Sequence, residues 1–127
     1  MTVRVLLVDD SDAFIATAVR LLEREGLTVV GTANTGDDAV EKVYRLAPVV
    51  ALVDIHLGEE SGFDVVRRIL RGHDDRTRAI LTSSYPPEDF ADLIAESPAA
   101  GFVSKSHLSA ATILEILGSD PGASEPE

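Results

Sequence analysis

The sequence contains no cysteine. That excludes a disulfide framework, a thiolate metal centre and a cysteine nucleophile, and it fits a reducing compartment. Long apolar runs are missing too. Val3–Val8 is apolar, but Arg4 interrupts it and Asp9 and Asp10 close it, far short of the roughly 18 apolar residues of a membrane span. No signal peptide is visible, so the expectation is a cytoplasmic protein with no membrane partner. Bases are scarce: 11 Lys and Arg stand against 22 Asp and Glu, a formal charge of −11. Asp120, Glu125 and Glu127 follow Leu117 with no base among them, which leaves −8 on the preceding residues. Such a field repels nucleic acid phosphates, and no nucleic acid partner is expected. The G-x-x-x-x-G-K-[ST] signature is absent, which excludes a P-loop nucleotide hydrolase, and there are no repeats at solenoid periods. The 127 residues suffice for one domain.

What is present alternates. Val3–Val8, Thr28–Ala33, Val49–Asp54, Ala79–Ser83 and Gly101–Ser104 read as strands. Segments of helical period lie between them. Ala13–Glu25 carries Phe14, Ile15, Ala18, Leu21 and Leu22 on one broad face and ends at Gly26. Gly36–Leu46 turns Ala39, Val40, Val43 and Tyr44 inward, with Pro48 just beyond. Ser61 to Asp64 has the S-x-x-D form of a helix start. That helix runs through Val66, Ile69 and Leu70, carries Arg67, Arg68 and Arg71 toward its negative end and stops near Gly72. Pro87–Glu96 is a fourth helix, with proline suited to its first turn. Ser109 is placed to cap a fifth, whose apolar residues are Ile113, Leu114, Ile116 and Leu117. The pattern is (βα)5. Near-continuous apolar strands between helices predict an α/β fold, a doubly wound five-stranded parallel sheet with helices on both faces. Residues 1–117 form this domain. Gly118–Glu127 lacks apolar period and reads as a disordered acidic tail.

In doubly wound sheets ligands bind at the C-terminal strand ends. Asp9 and Asp10 end the first strand, Asp54 ends the third, Thr82, Ser83 and Ser84 end the fourth, and Lys105 follows the fifth. Each has a plainer reading when taken singly: a turn-opening acid pair, a turn aspartate, loop hydroxyls, a solvated lysine. Their conjunction at one edge carries the weight. Carboxylates placed close together favour a hard divalent cation, and Mg²⁺ typically takes one or two of them plus waters and phosphate oxygens. A carboxylate can attack phosphorus and form an acyl phosphate. Transfer then needs charge neutralisation on the phosphoryl oxygens, which a metal and an ammonium supply.

The segments LLVDDSDAF (6–14), LVDIHLGEESGFDVVRRI (52–69), AILTSSY (79–85) and GFVSKSHL (101–108) together resemble the receiver domain of response regulators, over about residues 3–117. The resemblance implies strand order 2-1-3-4-5 and a Mg²⁺ or Mn²⁺ cofactor. It implies a phosphoryl group delivered by a histidine kinase or phosphotransfer protein. It also implies a protein that is not an enzyme beyond assisting its own phosphorylation and slow dephosphorylation. Residue by residue, Asp54 is the phosphoacceptor, and Asp10 ligates the metal directly together with Asp54. Asp9 holds the metal through water or positions it, and His56 gives its backbone carbonyl. Lys105 pairs with the phosphoryl group, Phe102 is the aromatic switch, and Gly62 matches a family glycine. The switch hydroxyl is Ser83 by its spacing of 22 residues before Lys105, with Thr82 the alternative from the Leu-Thr-small pattern. Neighbours on a strand face opposite ways, so one of the two points into the site. The face built by helix four, strand five and helix five then engages a downstream protein target, or an output domain absent from this chain.

Departures exist. Ser106 stands where many receivers have proline after a cis peptide, and a cis bond before a non-proline residue is costly. Gly58 replaces another common proline. His56 and Tyr85 occupy positions where the family tunes dephosphorylation. Among rivals, an aspartate-nucleophile phosphatase needs an acid two residues after the nucleophile, where this chain has His56. A flavodoxin-like cofactor binder needs a hydroxyl- and glycine-rich first loop, where this chain has acids that repel phosphate. A phosphorylation-independent pseudo-receiver docking module generally lacks a key residue, and none is missing here. Helix four offers Glu88, Asp89, Asp92 and Glu96 and helix five Glu115, without a base on either. Self-pairing through that face opposes like charges. The Mg²⁺/BeF₃⁻ form should therefore form no charge-matched dimer there; a solution structure of that form showing one would overturn this expectation.

Overall fold

The structure, a computed structural model, describes residues 3–71 and 77–118. Strands β1 (Arg4–Val8), β2 (Thr28–Ala33) and β3 (Val50–Asp54) are followed by a two-residue hairpin, β4 (His56–Leu57) and β5 (Glu60–Ser61). Then come β6 (Arg78–Ser83) and β7 (Gly101–Ser104). The helices are α1 (Asp12–Arg24), α2 (Gly36–Leu46), α3 (Gly62–Arg71), α4 (Ala91–Glu96) and α5 (Ala110–Gly118). Five strands pair in parallel in the order β2-β1-β3-β6-β7. With the hairpin set aside, this is the expected 2-1-3-4-5 order.

Side-chain alternation divides each strand between two cores. Leu6, Val8, Ala51, Val53, Ala79 and Leu81 face α2 and α3, where Ala39, Val43, Phe63, Val66 and Ile69 are buried. Val5, Leu7, Val50, Leu52, Ile80 and Val103 face α1 and α5, where Ala18, Leu22 and Ile113 are buried. Every residue of β3 is buried because both its faces are covered. Each large apolar side chain so enclosed contributes about 1.5–3 kcal/mol. Hydroxyls start the helices. Ser11 Oγ accepts the Phe14 N–H, Thr35 Oγ1 the Asp38 N–H and Ser109 Oγ the Thr112 N–H, each cap worth about 1 kcal/mol. The Glu60 carboxylate accepts the Gly36 N–H at 3.0 Å, at the positive end of α2.

Two expectations need correction. Pro87–Glu96 is not one helix: Pro87–Phe90 is a 3₁₀ turn, Phe90 leaves helical geometry at φ −130° and ψ 21°, and only Ala91–Glu96 is α-helical. The Asp89 N–H bonds to Pro86 O three residues back, and this tighter winding turns the Phe90 side chain onto the core under α2 and α3. Tyr44 points outward and is 76% exposed, because it lies a full 100° around α2 from the buried Val43. The helix start read at Ser61 holds: Ser61 ends β5 and caps α3 through the Phe63 N–H. The helix stop near Gly72 lies outside the described residues. So does the expected tail, apart from Gly118, which closes α5.

One glycine is dictated by a close approach. The chain leaves β3, makes the hairpin and returns so tightly that Gly62 donates its N–H to Ile55 O at 2.7 Å. A Cβ on Gly62 would lie 2.0 Å from the backbone oxygen of Asp54, well inside contact distance, and the obstacle is backbone rather than a movable side chain. Gly62→Ala should therefore cost about 1–3 kcal/mol, the usual penalty for overpacking. Urea unfolding measures it, and a loss under about half a kcal/mol would show that the turn relaxes freely.

Candidate functional site

The strand ends meet as the register requires. Asp54 is the last residue of β3, Ser83 the last of β6, and Asp9 directly follows β1. Lys105 opens the 3₁₀ turn Lys105–His107 after β7. Carboxylate oxygens of Asp9, Asp10 and Asp54 lie within 4.8 Å of one another. Asp9 and Asp54 are buried and Asp10 is exposed. The Lys105 ammonium sits 2.8 Å from Asp9 Oδ2 and 3.4 Å from Asp54 Oδ2. Backbone donors orient the acids. Ser11 N–H bonds to Asp9 Oδ1 at 2.9 Å, His56 N–H to Asp54 Oδ1 at 3.3 Å, and Gly58 N–H to Asp10 Oδ2 at 3.0 Å. Gly58 sits at φ +62° at the hairpin turn, a conformation glycine adopts without steric cost and one in which its N–H reaches Asp10.

Three carboxylates against one ammonium leave two negative charges unmatched. Burial of Asp54 raises its pKa first, the Asp9 charge raises it further, and the lowering by Lys105 and the His56 N–H does not cancel them. Burial opposes the Lys105 ammonium, but Asp9 and Asp54 outweigh it and hold its pKa above the ordinary value. Asp9 Oδ2 is buried, and the Lys105 ammonium at 2.8 Å is its partner. Three carboxylates within 4.8 Å of one another, set against a single ammonium, fit a hard divalent cation that takes oxygen ligands.

The two candidate hydroxyls face opposite ways. Thr82 is in register with Asp54 and Val103, and it alternates with Ile80 on the α1/α5 face. Ser83 is in register with Ser104, on the same side as the neighbouring Leu81–Phe102 pair. Both are buried. Ser83 Oγ accepts the Tyr85 N–H at 2.9 Å, which leaves its own proton available for donation. Phe102 is half-buried against the core under α2 and α3. His56 is exposed, and its ring meets Tyr85 and Phe90 edge to face at 5.3 and 5.4 Å. The Lys105–Ser106 bond is not cis, nor is any other peptide bond among the described residues. Sequence reasoning missed Phe14, whose ring centroid lies 4.5 Å from Lys105 Nζ, because its helical period explained it fully as core.

The chain matches the response regulator receiver domain over residues 5–117. It belongs to that family, the signal-receiving module of two-component systems. The response regulator GacA of Pseudomonas viridiflava is 32% identical over 104 residues, covering 81% of this chain and 48% of that protein. The chain spans about half the length of the curated relatives it matches. A LuxR-family two-component response regulator from Aurantimonas sp. SI85-9A1 superposes with a TM-score of 0.81 at 25% identity, covering 97% of this chain and 93% of that one. A Burkholderia pseudomallei response regulator with a phosphorylated aspartic acid, a calcium ion and citrate superposes at 0.77 with 26% identity, covering 92% and 67%. No helix among the described residues is long and apolar enough to cross a membrane.

The raised pKa of Asp54 has a consequence for stability. Its ionised form is disfavoured in the fold relative to the unfolded chain, whose carboxylate titrates near 3.8. The penalty is complete above the folded pKa, fades as pH falls through it and is gone below the unfolded value. In chelator at pH 7, Asp54→Asn should melt a few degrees higher than the unaltered chain, and this advantage should shrink on acidification. A variant that melts lower at pH 7 would contradict the charge balance described.

Proposed function

We propose that Asp54 accepts a phosphoryl group from a histidine kinase or phosphotransfer protein, and that residues 1–117 form the unit that switches in response. The observation that carries this reading is the meeting of Asp9, Asp10 and Asp54 within 4.8 Å, with the Lys105 ammonium between two of them. An Asp54 oxygen attacks phosphorus in line. A P–O bond forms to the carboxylate as the P–N bond to the donor histidine breaks, and the imidazole leaves with the bonding pair. A bound Mg²⁺ supplies charge neutralisation on the phosphoryl oxygens. Asp10 and Asp54 would hold it directly, with the backbone carbonyl of His56, and Asp9 would hold it through water or position it. Lys105 neutralises the opposite side of the phosphoryl group. That the Burkholderia relative carries both a phosphorylated aspartic acid and a calcium ion supports this assignment of acceptor and hard cation.

Ser83 donates its free proton to a phosphoryl oxygen, and the shift draws Phe102 inward on the same side of the sheet. The face made by α4, β7 and α5 changes with it, a two-state equilibrium that phosphate biases. A downstream protein target, or an output domain, reads that face. The chain assists its own phosphorylation and is not otherwise an enzyme.

Incubation with a small phosphodonor and Mg²⁺, followed by intact-mass measurement, tests the proposal. The expected gain is one phosphoryl group, absent in Asp54→Asn and absent in excess chelator. No gain, together with no metal-dependent response to BeF₃⁻, would favour a phosphorylation-independent docking module instead.

A further inference from the structure

Phe14 sits in the first turn of α1 and joins a closed circuit of contacts. Asp9 Oδ1 accepts the Ser11 N–H at 2.9 Å, and Ser11 Oγ accepts the Phe14 N–H at 3.2 Å. The Phe14 ring centroid lies 4.5 Å from Lys105 Nζ, and Lys105 Nζ lies 2.8 Å from Asp9 Oδ2. The circuit therefore starts and ends on the same carboxylate. It ties the cap of α1 to the turn after β7, elements joined by no sheet pairing. The ring is half-buried against the core under α1 and α5, and the Lys105 side chain is only 14% exposed. A cation within about 6 Å of a phenyl face is attracted by the ring quadrupole, more strongly when water is excluded.

We infer that Phe14 is a positioning residue for Lys105, its ring face holding the ammonium in place over the acceptor while the anions around it change partners. This inference rests on the proposed phosphoacceptor role of Asp54. The physical reason for a ring in this position is its neutrality. Asp9 and Asp54 hold the ammonium in the described structure, but both belong to the cluster that fits a divalent cation, and each would then share its charge. A third carboxylate beside Lys105 would repel the incoming phosphoryl group. A π face attracts the ammonium, carries no net charge and offers no oxygen to a metal. It also keeps Lys105 close to the site during the exchange of one anion for another, when a four-carbon stem would otherwise sample many rotamers.

The test uses the full chain. Phe14→Leu keeps an apolar side chain but removes the quadrupole; Phe14→Trp keeps a stronger one. Incorporation of phenylalanine bearing one, two or three fluorines at position 14 weakens the quadrupole in steps at nearly constant shape. Phosphorylation by a small donor with Mg²⁺ should slow about three- to tenfold in Phe14→Leu. It should slow stepwise along the fluorine series and remain near the unaltered rate in Phe14→Trp. Side-chain relaxation of Lys105 by NMR in the metal-free chain gives a readout independent of turnover: Lys105 should be ordered in the unaltered and Trp forms and mobile in the Leu form. A flat fluorine series with Lys105 equally ordered throughout would reduce Phe14 to core packing and overturn the inference. If the unaltered chain gains no phosphoryl group, the acceptor reading fails, while the NMR series still decides whether the ring holds the ammonium.

Discussion

The site is organised by one half-buried ammonium shared between two carboxylates at the ends of neighbouring strands. Asp9 and Asp54 project from β1 and β3, whose spacing of about 4.8 Å forces like charges together in a region that water barely reaches. Lys105 arrives from the far edge of the sheet and offsets part of that repulsion. The compensation is incomplete: burial first, and the Asp9 charge after it, hold the pKa of Asp54 above its ordinary value despite Lys105.

The surrounding structure serves to keep that cluster fixed. Backbone N–H groups from Ser11, His56 and Gly58 each orient one of the three acids. Two of these donors come from the tight β4–β5 hairpin. The hairpin closes only because Gly62 lets the returning chain lie against the Asp54 carbonyl. The rigidity here is local and inexpensive: a few hydrogen bonds and one missing methyl group hold the Asp54 carboxylate in place. In contrast, no residue of α4 or of the 3₁₀ turn before it is buried. Elements with little buried apolar surface are where opening and rearrangement cost least. Phe90 lies between the two, touching both the His56 ring and the core.

Most of the fold was legible because its strands are buried on both faces. Continuous apolar runs such as VALVD have few alternatives when helical segments separate them. The start of α5 was legible where Ser109 supplied a cap. The failures share a cause. The 56–61 hairpin uses strands of two residues, too short for any period to register. The 87–96 segment has the composition of one helix, yet its winding changes at Phe90 because a distant core claims that side chain. Tyr44 looked inward because a broad apolar stripe on the helix does not reveal its own edge.

The sequence by itself determined which residues stand at the ends of which strands, because chain order and alternation of apolar and polar type are local properties. That was enough for Asp9, Asp10, Asp54 and Lys105 and for membership of the receiver family. Tertiary structure alone decided how those groups meet. The register between strands set which face Ser83 and Thr82 each occupy. Packing of α1 beside the turn after β7 brought the Phe14 ring to Lys105, 91 residues away in the chain. The return of the β3–α3 connection left no room for a Cβ at Gly62. Each of these depends on the distance between segments far apart in sequence, and that distance is fixed only when both cores are packed.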